Sequence, residues 1–419
     1  VEPIPLLDPF RRRSILRKSH YNPFLIPSRY VSIDLISDSG TSAMSSEQWA
    51  RLTAATESFA FQDSYEYFVD TARRVTGFRH ILPVHQGRAA EHILFQYLLK
   101  PGDLVLGNNF FETTEENIKN VKAVPFALPD SNRNFPGNMN ISKAKKLLQT
   151  KKVKMVLITI TSNTNGGQPV SHFNIKEIAD LTKKYGTILL LDACRFAENG
   201  YFNKIRLKID KPVTEIVRSI FDRADYIYLS NKKDGLANTG GFIGMRDKRD
   251  FDLLSEKILL YEGFPSHGGN TGRDLAAMAQ GLIEAIDESN LDFRIGQVRH
   301  LGEQLKRYRI PVFEPFGGHA IVIHTDRINV PYPGFALAGG VYLEGGIRGG
   351  VFGNSFRLAV PRRVYTNDHL SFVASIVARV YKQRKFLRLK AIYEPTHFFN
   401  FWVRFQACGV YREIDSTER

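Results

Sequence analysis

Cysteine is nearly missing from this chain of 419 residues, with only Cys194 and Cys408 present. Two cysteines cannot form a disulfide framework, which fits a reducing compartment. No apolar run reaches membrane-spanning length, so no transmembrane segment is expected. The start, Val1-Glu2-Pro3, lacks the charged-then-apolar form of a signal peptide, and the expected location is the cytoplasm. Internal repeats and low-complexity tracts are absent as well. The 57 Lys and Arg outnumber the 43 Asp and Glu, giving a net charge of +14. Yet no long basic run exists, only short clusters at Arg11-Arg12-Arg13 and Lys382–Lys390. Such clusters are ordinarily solvated faces, so nucleic acid and membrane are not expected partners. What is present is ordinary for a soluble globular protein, with 43% hydrophobic and 24% charged residues. The length is enough for two or three domains.

The stretch Asp225–Met245 organises the rest. It reads as a buried strand (Tyr226, Ile227, Tyr228, Leu229), a polar knot Ser230-Asn231-Lys232-Lys233-Asp234, a turn at Gly235, and a second strand led in by Gly240-Gly241. Two adjacent lysines at the end of a buried strand are costly unless each is paired or discharged. A Schiff-base lysine beside a phosphate-holding lysine satisfies both, which makes Lys233 the candidate to carry pyridoxal phosphate. A solvated Lys-Lys-Asp turn is the competing account.

Along the chain, a Pro- and Arg-rich arm extends to about Tyr30, followed by a strand at Val31–Ile36. Helices are predicted at Ser45–Ala55 and Tyr65–Val75. The strand His80–Val84 breaks at His85-Gln86-Gly87-Arg88 into the helix Ala89–Leu99. A strand, a glycine and a helix N-terminus make an anion site, to which Arg88 adds charge. Further strands are read at Asp103–Leu106, Ala123–Phe126 and Met155–Thr161, the last ending in Ser162-Asn163-Thr164-Asn165-Gly166. The apolar strand Thr187–Leu191 reads as central in a parallel sheet and ends in Asp192-Ala193-Cys194-Arg195, where open α/β sheets bind ligands. An Asp192–Arg195 ion pair is the plainer alternative. After the lysines, helices are read at Lys257–Tyr261, Asp274–Glu288, Phe293–Arg307 and His369–Arg384. Strands follow at Val312–Glu314, His319–His324 and Phe356–Val360. Alternating strand and helix predict an α/β fold with a doubly wound, mostly parallel sheet. The expected division is 1–45 as an arm and part of a small domain, 46–290 as a large domain, and 291–419 as a small α+β domain.

Taken together, the loops supply what pyridoxal 5'-phosphate requires. Lys233 offers the amine for its aldehyde, and Asp192 offers the carboxylate that keeps the pyridine nitrogen protonated. Gln86, Gly87, Arg88, Ser230 and Lys232 offer donors for its phosphate. Phe111 offers a flat face for the ring, and Asn163 or Arg195 a donor for the 3-oxygen. Arg357 is the candidate for a bidentate grip on a substrate carboxylate, or else an arginine capping its sheet.

These residues lie in motifs that resemble the β-eliminating lyases, the family of tryptophanase and tyrosine phenol-lyase. The motifs are Ser37-Asp38-Ser39-Gly40-Thr41, His85-Gln86-Gly87-Arg88, Gly166-Gly167-Gln168-Pro169-Val170-Ser171, Ser230–Asp234, Arg357–Arg363 with Val364-Tyr365-Thr366, and Tyr393-Glu394-Pro395. The resemblance runs from about Asn22-Pro23-Phe24-Leu25 to Arg404. It implies the type I fold of pyridoxal phosphate enzymes and a homodimer or homotetramer with shared active sites. It also implies Lys233 as the Schiff-base lysine, Asp192 at the ring nitrogen, Arg195 and Asn163 near the 3-oxygen, and Arg357 at the substrate carboxylate. A potassium ion held by positions matching Gly40, Glu57 and Asn238 belongs to the same implication.

The departures from the family bear on substrate. Phe59 stands where the two model enzymes have a tyrosine acting as an acid toward the leaving group. Phe352 aligns with an arginine of tyrosine phenol-lyase, Asn400 with a histidine of tryptophanase, and Glu112 with a tryptophanase aspartate. Phe264 occupies a position contributed across the dimer, and Phe24 and Phe401 complete the expected side-chain pocket. The family also has a longer segment between the positions of Gly353 and Phe356. Carbon leaving groups such as indole and phenol must be protonated before departure, whereas thiolates and halides need no such acid. The expected reaction is therefore lyase chemistry of amino acid metabolism. An L-amino acid loses its α-proton to give a quinonoid and then a β-substituent, and tryptophan and tyrosine are not the substrates. Glu112 is the substitute acid if its surroundings raise its pKa. The alternatives are β-replacement, retro-aldol cleavage or transamination on the same cofactor, or a scaffold without catalysis.

Overall fold

A computed structural model of the chain describes residues 6–163, 166–383 and 386–408. Val1-Glu2-Pro3, Thr164, Asn165 and the middle of the Lys382–Lys390 cluster lie outside the described residues. In chain order the first strands are β1 (Ile33–Leu35), β2 (His80–Val84), β3 (Leu104–Gly107), β4 (Val124–Ala127), β5 (Val153–Thr159), β6 (Ile188–Asp192), β7 (Tyr226–Ser230) and β8 (Gly241–Met245). They are followed by β9 (Ala320–Ile323), β10 (Ile347–Phe352), β11 (Ser355–Ala359), β12 (Leu389–Tyr393) and β13 (Arg404–Ala407). The chain divides into a larger unit, residues 39–295 with 362–364, and a smaller one formed by the remaining described residues. The first division falls between Asp38 and Ser39, the second inside the helix Glu288–Arg307, and two more on either side of Arg362–Val364.

The larger unit is built on a seven-stranded sheet in the order β2-β8-β7-β6-β5-β3-β4. β8 runs antiparallel to both neighbours, and the other pairings are parallel. β6, Ile-Leu-Leu-Leu-Asp, occupies the middle, as its apolar run predicts. Successive side chains of a strand point to opposite faces. Leu189, Leu191, Ile227 and Leu229 accordingly join one buried cluster, and Leu190, Tyr226 and Tyr228 join another. The helices Gly87–Leu98 and Lys248–Tyr261 cover the second face through Ile93, Leu94, Leu254 and Ile258. The first face carries the helices Asp63–Thr76, His172–Tyr185, Phe196–Leu207, Val213–Phe221 and Gly272–Ala285. The sheet is thus doubly wound and mostly parallel, as expected.

The smaller unit holds a four-stranded sheet, β1-β10-β11-β9, and a separate antiparallel pair, β12 with β13. Its core takes Phe335, Val341 and Tyr342 from the helix Pro333–Gly345 and Val373, Ile376 and Val377 from the helix Asn367–Lys382. Among the described residues no helix is long and apolar enough to cross a membrane.

The first stretch departs from the expected arm. It forms the helix Pro9–Lys18, capped by Asp8, and Ile15 and Leu16 enter the small-unit core. Arg12 is likewise no solvated residue. Its Nε donates to the Leu343 carbonyl at 2.7 Å and its Nη2 to that of Glu344 at 3.2 Å, closing the end of another helix. The predicted strand Val312–Glu314 reduces to one bridge between Val312 and Ile323.

Candidate cofactor site at the strand ends

The sheet register brings the predicted loops to one edge. Val84 of β2 and Ser230 of β7 both stand opposite Gly241 of β8. Asp192 of β6 lies between Thr159 of β5 and Tyr228 of β7. Beyond the strands, the Ala193 N–H donates to the Tyr228 carbonyl at 2.9 Å and the Arg195 N–H to that of Ile160 at 3.1 Å. The carboxyl ends of β5, β6 and β7 are therefore laced together, and β2 delivers His85-Gln86-Gly87-Arg88 to the same edge.

On the β2 side the arrangement favours an anion. Gln86 is the N-cap of the helix Gly87–Leu98 but makes no side-chain capping bond, which leaves first-turn N–H groups available. A Cβ on Gly87 would lie 2.8 Å from the Ser230 Cβ, so only glycine lets this turn approach β7 so closely. Lys232 is half-buried, and burial, then the nearby charges of Lys233 and Arg88, hold its ammonium group below the usual lysine range. None of Arg88, Lys232 and Lys233 has a carboxylate partner among the described residues. Gly40, at φ +73°, passes over the lysines, its N–H donating to the Lys232 carbonyl at 2.7 Å.

Asp192 is 6% exposed, and its Oδ1 accepts from the Cys194 N–H at 3.1 Å. Its surroundings resist further negative charge. Burial and then Asp192 push the thiol of Cys194 and the phenol of Tyr228 upward. Buried Glu91 is pushed up by the same two causes, in that order, although Thr114, Tyr228 and Asn117 donate to it. Arg195 Nη1 donates to Asn163 Oδ1 at 3.3 Å, so both candidates for the 3-oxygen stand together.

The remaining candidates are distributed as follows. Phe111 is the N-cap of the helix Glu112–Asn120, which begins with Glu112. The loop before it is tied to β5 by Asn108, whose side chain donates to Thr159 and accepts from it. Asn238 Nδ2 donates to the carbonyls of Gly40 and Ser42 at 3.1 and 3.0 Å. Glu57 is engaged differently, accepting from the N–H groups of Gly272 and Arg273 and from Arg273 Nε. Phe59 is 75% exposed, with its ring 5.4 Å from that of Phe264. Within the smaller unit, Arg357 on β11 stacks under Phe352 at 3.9 Å and donates to the Ile36 carbonyl. Phe24 packs on Phe401 at 4.7 Å, and Asn22 holds the backbone at Asn400 and Phe401.

Sequence reasoning missed Glu91 and the buried group Glu198, Asp234, Arg294 and Arg362. The one available signal was a charged residue in an otherwise apolar position, as in Phe-Ala-Glu198-Asn. That signal does not say which distant charge answers it.

Residues 34–376 match the beta-eliminating lyase family. The chain belongs to that family. This makes it a pyridoxal phosphate-dependent lyase. A probable beta-eliminating lyase of Trichomonas vaginalis is 41% identical to it, over 92% of each chain. A tryptophanase of Salinibacter ruber is 41% identical, over 89% of this chain and 86% of its own. A tyrosine phenol-lyase of Fusobacterium nucleatum is 38% identical, over 97% and 96%. Among solved structures, a chain of the SepCysS–SepCysE N-terminal domain complex matches with a TM-score of 0.62. It covers 85% of this chain and 96% of its own at 15% identity, a likeness of fold alone. The fold is the type I fold of pyridoxal phosphate enzymes, as the motifs imply.

Proposed function

We propose that this beta-eliminating lyase removes a β-substituent from an L-amino acid other than tryptophan or tyrosine, with sites shared in a homodimer or homotetramer. The observation that carries the reading is the meeting of Arg88, Lys232 and Lys233, three basic side chains with no carboxylate partner among the described residues, at the sheet edge that holds buried Asp192. That donor set fits an aromatic aldehyde bearing a phosphate. Gln86, Gly87, Arg88, Ser230 and Lys232 would hold the phosphate, Phe111 the ring face, and Asn163 with Arg195 the 3-oxygen. Lys233 would hold the aldehyde carbon and Asp192 the proton on the ring nitrogen. When bound, pyridoxal phosphate supplies an electron sink for the pair left at the substrate α-carbon.

The protein's own groups do the rest. The Lys233 amine would take the α-proton, and its ammonium form would return it. Arg357, whose guanidinium stacks on Phe352, would be the group that binds the substrate carboxylate. Phe59 has no proton to give, which favours leaving groups stable as anions, such as thiolates, over indole or phenol. Exposed Phe59 and Phe61, at 75 and 68%, both pack on Phe264 and present apolar surface suited to a second copy of the chain. A potassium ion at Gly40, Glu57 and Asn238 belongs to the same reading. The test is a screen of L-amino acids for release of ammonium and a keto acid, with products identified by mass. S-alkyl cysteines are expected to lead, and preference for tryptophan or tyrosine would overturn the substrate assignment.

A further inference from the structure

Behind the lysine turn four charged side chains meet in the interior of the larger unit: Glu198, Asp234, Arg294 and Arg362, none more than 4% exposed. Arg362 Nη2 donates to Asp234 Oδ1 at 2.7 Å and to Glu198 Oε1 at 2.5 Å. Arg294 Nε donates to the same Glu198 oxygen at 3.0 Å. Two cations and two anions balance, yet all four are shut from water. Such clusters give little net stability relative to well-packed apolar replacements, so their worth has to be sought in geometry.

Asp234 is the member that reaches the site. Its Oδ2 accepts from the N–H groups of Ala197 and Glu198, at 2.8 and 3.0 Å, in the first turn of the helix Phe196–Leu207. Its own N–H donates to the Cys194 carbonyl at 3.3 Å. Arg195, the N-cap of that helix, makes no side-chain capping bond, so Asp234 caps the helix from another loop. One carboxylate thereby fastens the turn after β7 to the turn after β6. The first turn bears Lys233 and the second bears Asp192 and Arg195. Lys233 is the immediate neighbour of Asp234, with its N–H directed to the Ser230 carbonyl at 3.3 Å and its carbonyl accepting from Leu236 at 3.0 Å.

We propose that Asp234, gripped by Arg362, is a positioning residue that sets the Lys233 amine against Asp192 and Arg195. The inference rests on Lys233 being the lysine that carries the cofactor. The balance at Asp234 supports it: burial and then Glu198 push the carboxyl up to about 7, while Arg362 and the helix N–H groups pull the other way, so its charge depends on these contacts. An amide at this position has a single acceptor oxygen and cannot serve Arg362 and two N–H groups at once.

The test uses full-length holoenzyme carrying Asp234→Asn or Arg362→Gln, each measured for thermal stability and cofactor content. The apoprotein is then reloaded with pyridoxal phosphate, and the cofactor trapped at Lys233 by borohydride is followed over time by peptide mass. The pH midpoint of the visible band is read alongside. Both variants are expected to hold cofactor and keep KM, while trapping slows and kcat falls by about tenfold or more, as for a reacting group displaced by a fraction of an ångström. The midpoint is expected to move in the same direction in both. Wild-type trapping and an unmoved midpoint in folded variants would overturn the proposal. Joint loss of cofactor and stability in both would also overturn it, by making the cluster purely structural. Trapping at another lysine in the wild-type protein would instead overturn the assignment of Lys233, and this inference with it.

Discussion

Asp192 stands opposite Tyr228 in the parallel pairing of β6 with β7, and the next residue, Ala193, donates its N–H to the Tyr228 carbonyl at 2.9 Å. Tyr228 is two residues short of Ser230, so register alone carries the buried carboxylate to the foot of the lysine turn. Burial and its negative neighbourhood make this carboxylate suited to holding a cationic proton on a heteroaromatic nitrogen.

Asp192→Asn should keep pyridoxal phosphate bound and fixed to the protein, since the residues proposed to hold its phosphate and aldehyde are others. Exchange of the substrate α-proton with solvent should fall by about a hundredfold or more, because an amide cannot keep the ring nitrogen protonated. Deuterium incorporation measured by mass checks this, and exchange at the wild-type rate would reject the role.

Phe59 lacks the hydroxyl that an indole or phenol leaving group needs. Turnover of S-alkyl cysteines should therefore exceed that of tryptophan and tyrosine, and Phe59→Tyr should raise turnover of the latter more than of the former. Competition kinetics on mixed substrates would show the opposite ranking if the assignment were wrong.

Replacing potassium by sodium or lithium should lower activity if Gly40, Glu57 and Asn238 hold the ion. The structure brings Asn238 to the Gly40 carbonyl, whereas Glu57 is engaged by Gly272 and Arg273. Equal rates in all three salts at matched ionic strength would remove these residues as ligands.

Burial, then Glu198, pushes Asp234 up to about 7 against the opposing pull of Arg362. The folded protein then keeps a proton that the unfolded chain releases near the ordinary aspartate range, about 4. The unfolded state binds fewer protons between these values, so this group's contribution to stability is full below about 4 and is lost as pH rises through about 7. Asp234→Asn should flatten that part of the stability profile, read from denaturant midpoints across the window. A slope identical to wild type would contradict the linkage.

Much of the larger unit was legible in the sequence. β2 runs from His80 to Val84 as predicted, and the apolar run before Asp192 does occupy the centre of the sheet. The helix Pro333–Gly345 escaped notice because its residues from Gly334 to Tyr342 are buried on every side, leaving no polar stripe to mark a helical period. The arm was misjudged because its buried apolar residues, Ile15, Leu16 and Ile26, are few, and three arginines precede them. At the site, loop composition singled out Gln86, Gly87, Arg88 and Ser230, which the sheet register brings to one edge. The group around Glu198 could not be read, because its partners lie 36, 96 and 164 residues away and composition carries no information about such pairing.

Loading Lys233→Ala and wild-type protein with pyridoxal phosphate, reducing both with borohydride and mapping the peptides by mass tests the central claim most directly. The account predicts a cofactor adduct on the Lys233 peptide of the wild type and none in the variant, whose visible band is also lost. An adduct of equal yield in the variant, or on a different lysine in the wild type, would contradict it.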